Sequence, residues 1–169
     1  AVICLSIYAP LYLIVARWFR IPQITYLGIA AMAGAIHFLD GLVNPHAGLE
    51  SKAIGATALG FLCWGVAKRI GRKGEIGEET DSLGFRRPWL HGSLVLSLFS
   101  LGSLVLSVLE AGDRAVASPL VAGMFTAVSV LLILLTLEFP TAILAHLSLS
   151  SGLAAWLSAA LWLRGSINE

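Results

Sequence analysis

Apolar residues run through this chain in six long stretches, separated by short groups of polar, charged, glycine and proline residues. About 20 apolar residues are enough for a helix to cross the hydrocarbon core of a bilayer. The pattern therefore predicts membrane-spanning helices at about 1–19, 22–43, 52–67, 89–109, 119–137 and 141–163. The hydrophilic, glycine-rich stretch 68–88 is predicted to be a loop. We expect an all-α, polytopic six-transmembrane-helix bundle that forms a single integral membrane domain over 1–169.

Composition supports a lipid bilayer as the surroundings of the chain. Of its 169 residues, 57% are hydrophobic and 12% are charged, whereas soluble domains carry about 25% charged residues. The net charge of +1 provides no clustered basic excess for a phosphate backbone, so no nucleic acid partner is expected. Cys4 and Cys63 lie in apolar runs and are expected to be small packing residues. The first stretch opens without Met and is slightly short, so we expect further residues upstream of Ala1.

Lysine and arginine are distributed unevenly between the two sides of these spans. If the loops after segments one, three and five share one side, that side holds eight of the 11 basic residues. The eight are Arg17, Arg20, Lys68, Arg69, Arg72, Lys73, Arg86 and Arg87. The other side holds Lys52, Arg114 and Arg164. Because basic loops stay in the cytoplasm, both termini are predicted to lie outside, in an inner (plasma) membrane of bacterial type.

The second segment carries polar side chains where its surroundings are otherwise apolar. At helical spacing, one face holds Ala30, Ala33, Gly34, His37, Asp40, Gly41 and Asn44, with His46 shortly after them. Ionisable groups at membrane depth are costly and rare, so this face is expected to point into the bundle and to be functional. An imidazole and a partly desolvated carboxylate suit cation binding or proton relay. The transport or ion-binding candidates are therefore His37, Asp40, Asn44 and His46; the alternative is a hydrogen bond between helices.

Three further titratable residues lie near the predicted cytoplasmic side: His91, Glu138 and His146. His146 with Glu138 or His91 is a secondary candidate for an inner station of a proton or cation path. A histidine bonded to a neighbouring serine is the alternative. The helical rise places His37 and His146 at different depths, which disfavours one haem held by both.

Small and hydroxyl-bearing side chains recur at helical spacing in segments four and six. They include Ser93, Ser97, Ser100 and Ser107 in the first, and Ser148, Ser151, Ala155 and Ser158 in the second. Close packing and interhelical hydrogen bonds drive helix association in lipid. We expect segments four and six to touch, with Ser97, Ser100, Ser151 and Ala155 as packing residues. The alternative is a hydroxyl-lined path for a polar solute; segment five, the most aliphatic, is predicted to face lipid.

Enzyme motifs are not found in this sequence. It contains no HExxH, GxSxG, P-loop or GxGxxG pattern. The string LSLSSGLAAW places serine beside glycine, but no histidine is fixed at the same depth as its partner. An intramembrane enzyme and a haem-binding subunit are therefore weaker alternatives, and neither haem nor a metal is assigned.

Two functional hypotheses from different classes follow. The first is a transporter, or a transport subunit, for a small solute or an ion, coupled to protons in one version, with His37 and Asp40 at its centre. The second is a non-catalytic membrane anchor or scaffold whose small-residue helix faces hold protein partners or further copies of the chain. The abundance of Gly, Ala and Ser supports both.

Overall fold

Six α-helices make up the described part of the chain in the computed structural model, and that part contains no strand. The structure describes residues 2–43, 48–74, 79–111 and 118–167, and their side chains except those of 72–83, 111 and 167. The helices are α1 (Val2–Trp18), α2 (Ile24–Val43), α3 (Leu49–Gly74), α4 (Glu79–Ala111), α5 (Pro119–Thr136) and α6 (Ala142–Ile167). The predicted all-α fold class is confirmed.

Five of the described helices are long and apolar enough to cross a bilayer. These spans are Ile24–Val43, Leu49–Gly71, Gly84–Glu110, Pro119–Thr136 and Ala142–Ser166. At about 1.5 Å per residue, even 18 residues reach about 27 Å, close to the thickness of the hydrocarbon core. Helix α1 is also apolar but shorter, with 17 residues and Pro10 inside it. The chain is an integral membrane protein.

The predicted loop over 68–88 is largely helical, which corrects the sequence-based boundaries. Helix α3 continues to Gly74 and α4 begins at Glu79, so only 75–78 lie outside the described residues. The third segment is thus longer than the predicted 52–67. Polar side chains end the membrane-embedded part of a helix, but Lys, Arg and Glu are good helix formers and do not end the helix itself.

Contacts within the chain divide it into two units. The first comprises Ala1–His46 and Ala58–Leu96, and the second comprises Ala47–Thr57 and Ser97–Glu169. Helices α3 and α4 contribute one part of their length to each unit. The single domain expected over 1–169 therefore stays a prediction.

In the first unit, α1 and α2 pack closely and run antiparallel. A Cβ atom at Gly28 would lie 2.7 Å from Leu13 Cδ2, and one at Gly34 would lie 3.3 Å from Leu5 Cδ1. Only a missing side chain at Gly28 lets α1 approach this closely. The register places the C-terminal part of α2 beside the N-terminal part of α1.

Helices α2 and α4 run parallel in the same unit. Pro22, just before α2, lies 3.6 Å from the Cβ position of Gly84 on α4. Further along both helices, the Tyr26 hydroxyl lies 2.6 Å from Nδ1 of His91. Because the residue numbers rise together, both helices enter the membrane from the same side. The predicted threading requires this relation.

In the second unit, α5 buries one side and exposes another, where Val130 and Ile133 lie. Its fully buried side chains are Val121, Val128, Leu131, Leu132 and Leu135. Of its span, 44% is buried, the largest share among the five candidate spans. The prediction that segment five faces lipid is therefore wrong for the buried side, because aliphatic side chains suit the core of a membrane protein as well as its lipid surface.

Helix α1 ends in a backbone turn that reverses the chain towards α2. The Ile21 amide donates to the Ala16 carbonyl at 2.9 Å, and Arg20 between them has φ = 55°. This is a Schellman motif, which satisfies carbonyls that the helix end leaves unpaired. Pro22 follows, where a helix cannot continue. The chain thus turns back at the basic cluster recognised in the sequence.

Candidate functional site

The first half of α2 contains the residues that pack against the rest of the first unit. Thr25, Gly28, Ile29 and Ala31 are the buried residues of this helix, and all lie before its midpoint. Small side chains let α1 approach closely, as the contact between Gly28 and Leu13 shows. The close contact therefore uses Gly28 rather than the predicted small residues, because Ala30 is exposed and Ala33 and Gly34 are only half-buried.

The second half of α2 carries the polar candidates and is less covered by the chain than the first half. No residue from Met32 to Val43 is buried, His37 is exposed, and Asp40 is half-buried. The imidazole of His37 meets the edge of the Phe38 ring, with ring centroids 5.8 Å apart. The expectation that His37 points into the interior of the chain is therefore wrong, while Asn44 and His46 lie outside the described residues.

In the second unit, buried hydroxyl groups of α4 form hydrogen bonds with α3. Thr57 and Ser100 place their hydroxyl oxygens 2.6 Å apart, and both oxygens lie within 3.0 Å of the Ala53 carbonyl. One hydroxyl therefore donates to the carbonyl and the other to its neighbour. About two turns after Ser100 on α4, Ser107 donates to Oε1 of Glu50 on α3 at 3.1 Å.

The same row of hydroxyls continues into the first unit. There Ser93 donates to the Gly60 carbonyl on α3 at 2.9 Å. Ser97, between the two groups, is fully buried. The hydroxyls that were expected to meet segment six are thus engaged with α3, and the predicted contact between segments four and six stays a prediction.

In α6 the small-residue row packs against α5. Ser148, Ser151, Ala155 and Ser158 are all buried. Ser129 of α5 donates to the Ser148 carbonyl at 2.8 Å, and Ser151 donates to the same carbonyl at 3.0 Å. Because these hydroxyls are satisfied by backbone carbonyls, their arrangement supports helix packing more directly than a solute path.

Tyr26 of α2 and His91 of α4 form a short hydrogen bond between two helices of the first unit. Besides the 2.6 Å contact, their rings stack with centroids 6.1 Å apart and an angle of 23°. Both side chains are exposed. Sequence reasoning named His91 but not Tyr26. The sequence did contain a signal for this pair. Tyr26 comes shortly after Pro22 and His91 shortly after Pro88, so both lie at the start of spans predicted to enter the membrane from the same side.

The other secondary candidates lie in the second unit. His146 is exposed on α6, and Glu138 is half-buried in the turn between α5 and α6. Glu138 interacts within the chain. An inner station made of His146 with Glu138 or His91 stays a prediction.

Basic side chains gather at one end of the first unit. The Cβ position of Gly71, near the end of α3, lies 3.4 Å from Nε of Arg86, near the start of α4. Lys68 places its Nζ 5.8 Å from the centre of the Trp64 ring, a cation–π contact. With the parallel register of α2 and α4, these contacts put six of the predicted cytoplasmic cations at one end: Arg17, Arg20, Lys68, Arg69, Arg86 and Arg87.

No group of three or more His, Cys, Asp or Glu side chains that would suit a metal ion occurs among the described residues. Cys4 is exposed and Cys63 is buried, and both are free thiols. Comparison of the chain with protein-family models, curated proteins and solved structures finds no match. The function must therefore be argued from the geometry of the chain.

Proposed function

We propose that this integral membrane protein is a non-catalytic subunit that pairs with a second copy of itself in the bilayer through the second half of α2. One observation carries the proposal: residues 37–39 and 41–43, with His37 among them, are exposed on the chain, whereas Asp40 is half-buried and interacts within it. By the helical rise, His37 lies about 9 Å inside the end of the α2 span. A polar group at that depth is costly against lipid, so a protein partner is the favourable neighbour.

A second copy suits this face because the face complements itself. In a two-fold pair, residue i of one copy meets residue j of the other, and the reverse contact follows by symmetry. His37 and Asp40 differ in height by about 5 Å, within reach of their side chains. Each imidazole would then meet the carboxylate of the other copy. Gly41, with nothing within 4 Å of its Cβ position, would let the helices approach closely.

Cross-linking in native membranes tests the pairing. In a background with Cys4→Ser and Cys63→Ala, Gly41→Cys should form an oxidised dimer of twice the chain mass. Gly65→Cys on α3 is the matched control, because Gly65 is also an exposed glycine with nothing within 4 Å of its Cβ position. It should remain monomeric. A cross-link from Gly41→Cys to a different protein, or none at all, would reject a second copy as the partner.

Transport of a proton or small cation is the second candidate function, favoured by the proximity of an imidazole and a carboxylate on one helix. Because His37 is exposed on the chain, such a path would run between copies rather than through one copy. Substituting Asp40 separates this function from assembly alone, as argued in the Discussion.

The orientation proposed for the protein places the basic end of the first unit in the cytoplasm and both termini outside. Single cysteines in the same thiol-free background test it. Ser166→Cys should react with an impermeant thiol reagent in intact cells, whereas Ser82→Cys should react only after the cells are opened. The reverse pattern would mean that the protein is threaded in the opposite direction.

A further inference from the structure

A row of exposed polar side chains follows the line where α2 and α4 meet in the first unit. Gln23 lies just before α2 and Tyr26 in its first turn, and Arg87 and His91 lie one turn apart on α4. The parallel register, with Pro22 beside Gly84 and Tyr26 bonded to His91, places all four at similar depth. We call these four residues the polar seam.

The polar seam offers hydrogen-bond donors and positive charge. Arg87 brings a guanidinium with five N–H donors, and Gln23 brings an amide. When the Tyr26 hydroxyl donates to Nδ1 of His91, the neutral imidazole carries its proton on Nε2, which is then a donor. When the imidazole is protonated, it adds a second positive charge. Either state of His91 suits an anion.

Basic residues lie at the same end of the first unit as the polar seam. Asp40, the carboxylate of α2, lies about 21 Å along that helix from Tyr26. Arg20 and Arg86, by contrast, lie at the same end of the unit as the polar seam.

Apolar side chains continue from the polar seam towards the centre of the membrane. Val95, one turn beyond His91 on α4, is 63% exposed, and Leu27, beside Tyr26 on α2, is 53% exposed. A ligand with an anionic head and a hydrocarbon tail would meet donors first and then apolar surface. Anionic lipids at basic membrane-flanking sites have this chemistry.

We propose that the polar seam binds the phosphate of an anionic glycerophospholipid, whose acyl chain lies along Leu27 and Val95. Arg87 contacts the phosphate oxygens, and the hydrogen bond to Tyr26 orients His91 for a second contact. The site is separate from the second half of α2, and it does not depend on pairing of two copies.

Lipid titration of the purified protein, read by native mass spectrometry, tests the site. The probes are phosphatidylglycerol, phosphatidylcholine and inorganic phosphate. Phosphatidylglycerol should bind most tightly, and Arg87→Ala or His91→Ala should weaken its binding about tenfold, the loss expected for a charge-assisted hydrogen bond. Tyr26→Phe, which leaves His91 in place but unoriented, should weaken binding by a smaller factor.

Arg69→Ala is the matched control, because Arg69 is an exposed arginine of α3 that does not belong to the polar seam. It should change the affinity for phosphatidylglycerol less than twofold. If Arg69→Ala and Arg87→Ala weakened the binding of phosphatidylglycerol equally, the lipid would be held by diffuse electrostatic attraction to the basic end and not by a specific site. Equal binding of phosphatidylcholine, or displacement of the lipid by millimolar phosphate, would also overturn the proposal. Thermal unfolding without added lipid verifies that each variant is folded. If His91→Ala does not fold, Arg87→Ala still tests the site, because Arg87 is exposed.

Discussion

Replacing Gly92 with leucine is expected to lower the free energy of unfolding by about 3 kcal/mol, the upper part of the range for overpacked cores. Gly92 is buried on α4 where three helices of the first unit meet. A Cβ atom there would lie 3.0 Å from two side-chain atoms of Ile29 on α2 and 3.8 Å from Sγ of Cys63 on α3. Ile29 is itself buried and β-branched, so it has little freedom to move aside.

Gly102, ten residues further along the same helix, is the matched control for this prediction. Its Cβ position has nothing within 4 Å, and the residue is exposed. Gly102→Leu should leave the thermal midpoint unchanged or raise it slightly, because leucine forms helices better than glycine by up to about 1 kcal/mol. Gly92→Ala should lie between Gly92→Leu and the native protein. If Gly92→Leu and Gly102→Leu unfold at the same temperature, α2, α3 and α4 do not meet at Gly92.

Replacing Asp40 with leucine is expected to weaken pairing of two copies about tenfold, whereas asparagine should largely preserve it. Polar contacts between helices in bilayers average roughly 0.6 kcal/mol, and the two-fold pair contains this contact twice. The sum of about 1.2 kcal/mol corresponds to nearly tenfold in the dimerisation constant. Asparagine retains a hydrogen-bonding side chain of the same size. The yield of the Gly41→Cys cross-link across a dilution series in lipid measures the change.

The same two variants separate assembly from transport. A proton or cation path needs a titratable carboxylate, so Asp40→Asn should abolish flux while the pair persists. If the protein only assembles, liposomes containing the native chain and liposomes containing Asp40→Asn should show the same proton flux as empty liposomes. Flux in the native protein that disappears in Asp40→Asn would make transport the leading function. Equal pairing in native, Asn and Leu variants would remove Asp40 from the interface.

Much of the fold is predictable from the sequence because each apolar stretch specifies its own helix. In lipid, backbone N–H and C=O groups must be satisfied within the segment, which leaves few alternatives to a helix. The predicted segment 119–137 therefore agrees closely with α5, and 22–43 with α2. The ends of α3 and α4 were missed because hydropathy reports where a helix leaves the membrane, not where its hydrogen bonds stop.

Local pattern identified the interacting residue types but not their partners. Spacing alone indicated that Ser100 and Ser148 lie on packing faces, and both are buried. The Ser100 hydroxyl meets that of Thr57 on α3, and the Ser129 hydroxyl of α5 donates to the Ser148 carbonyl. A hydroxyl suits any nearby carbonyl or hydroxyl, so its identity cannot select the partner helix.

The sequence by itself determined that this chain spans a membrane in helices and that His37, Asp40 and His91 are the unusual side chains, because hydropathy and helical period are properties of each segment alone. Only the tertiary structure decided which faces are covered. It buried one side of the aliphatic α5, left His37 exposed, and joined His91 to Tyr26, which is 65 residues away in sequence and on another helix. The physical reason is that lipid and protein interior are similarly apolar, so the direction of a helix face follows from close packing between helices, which no single segment contains.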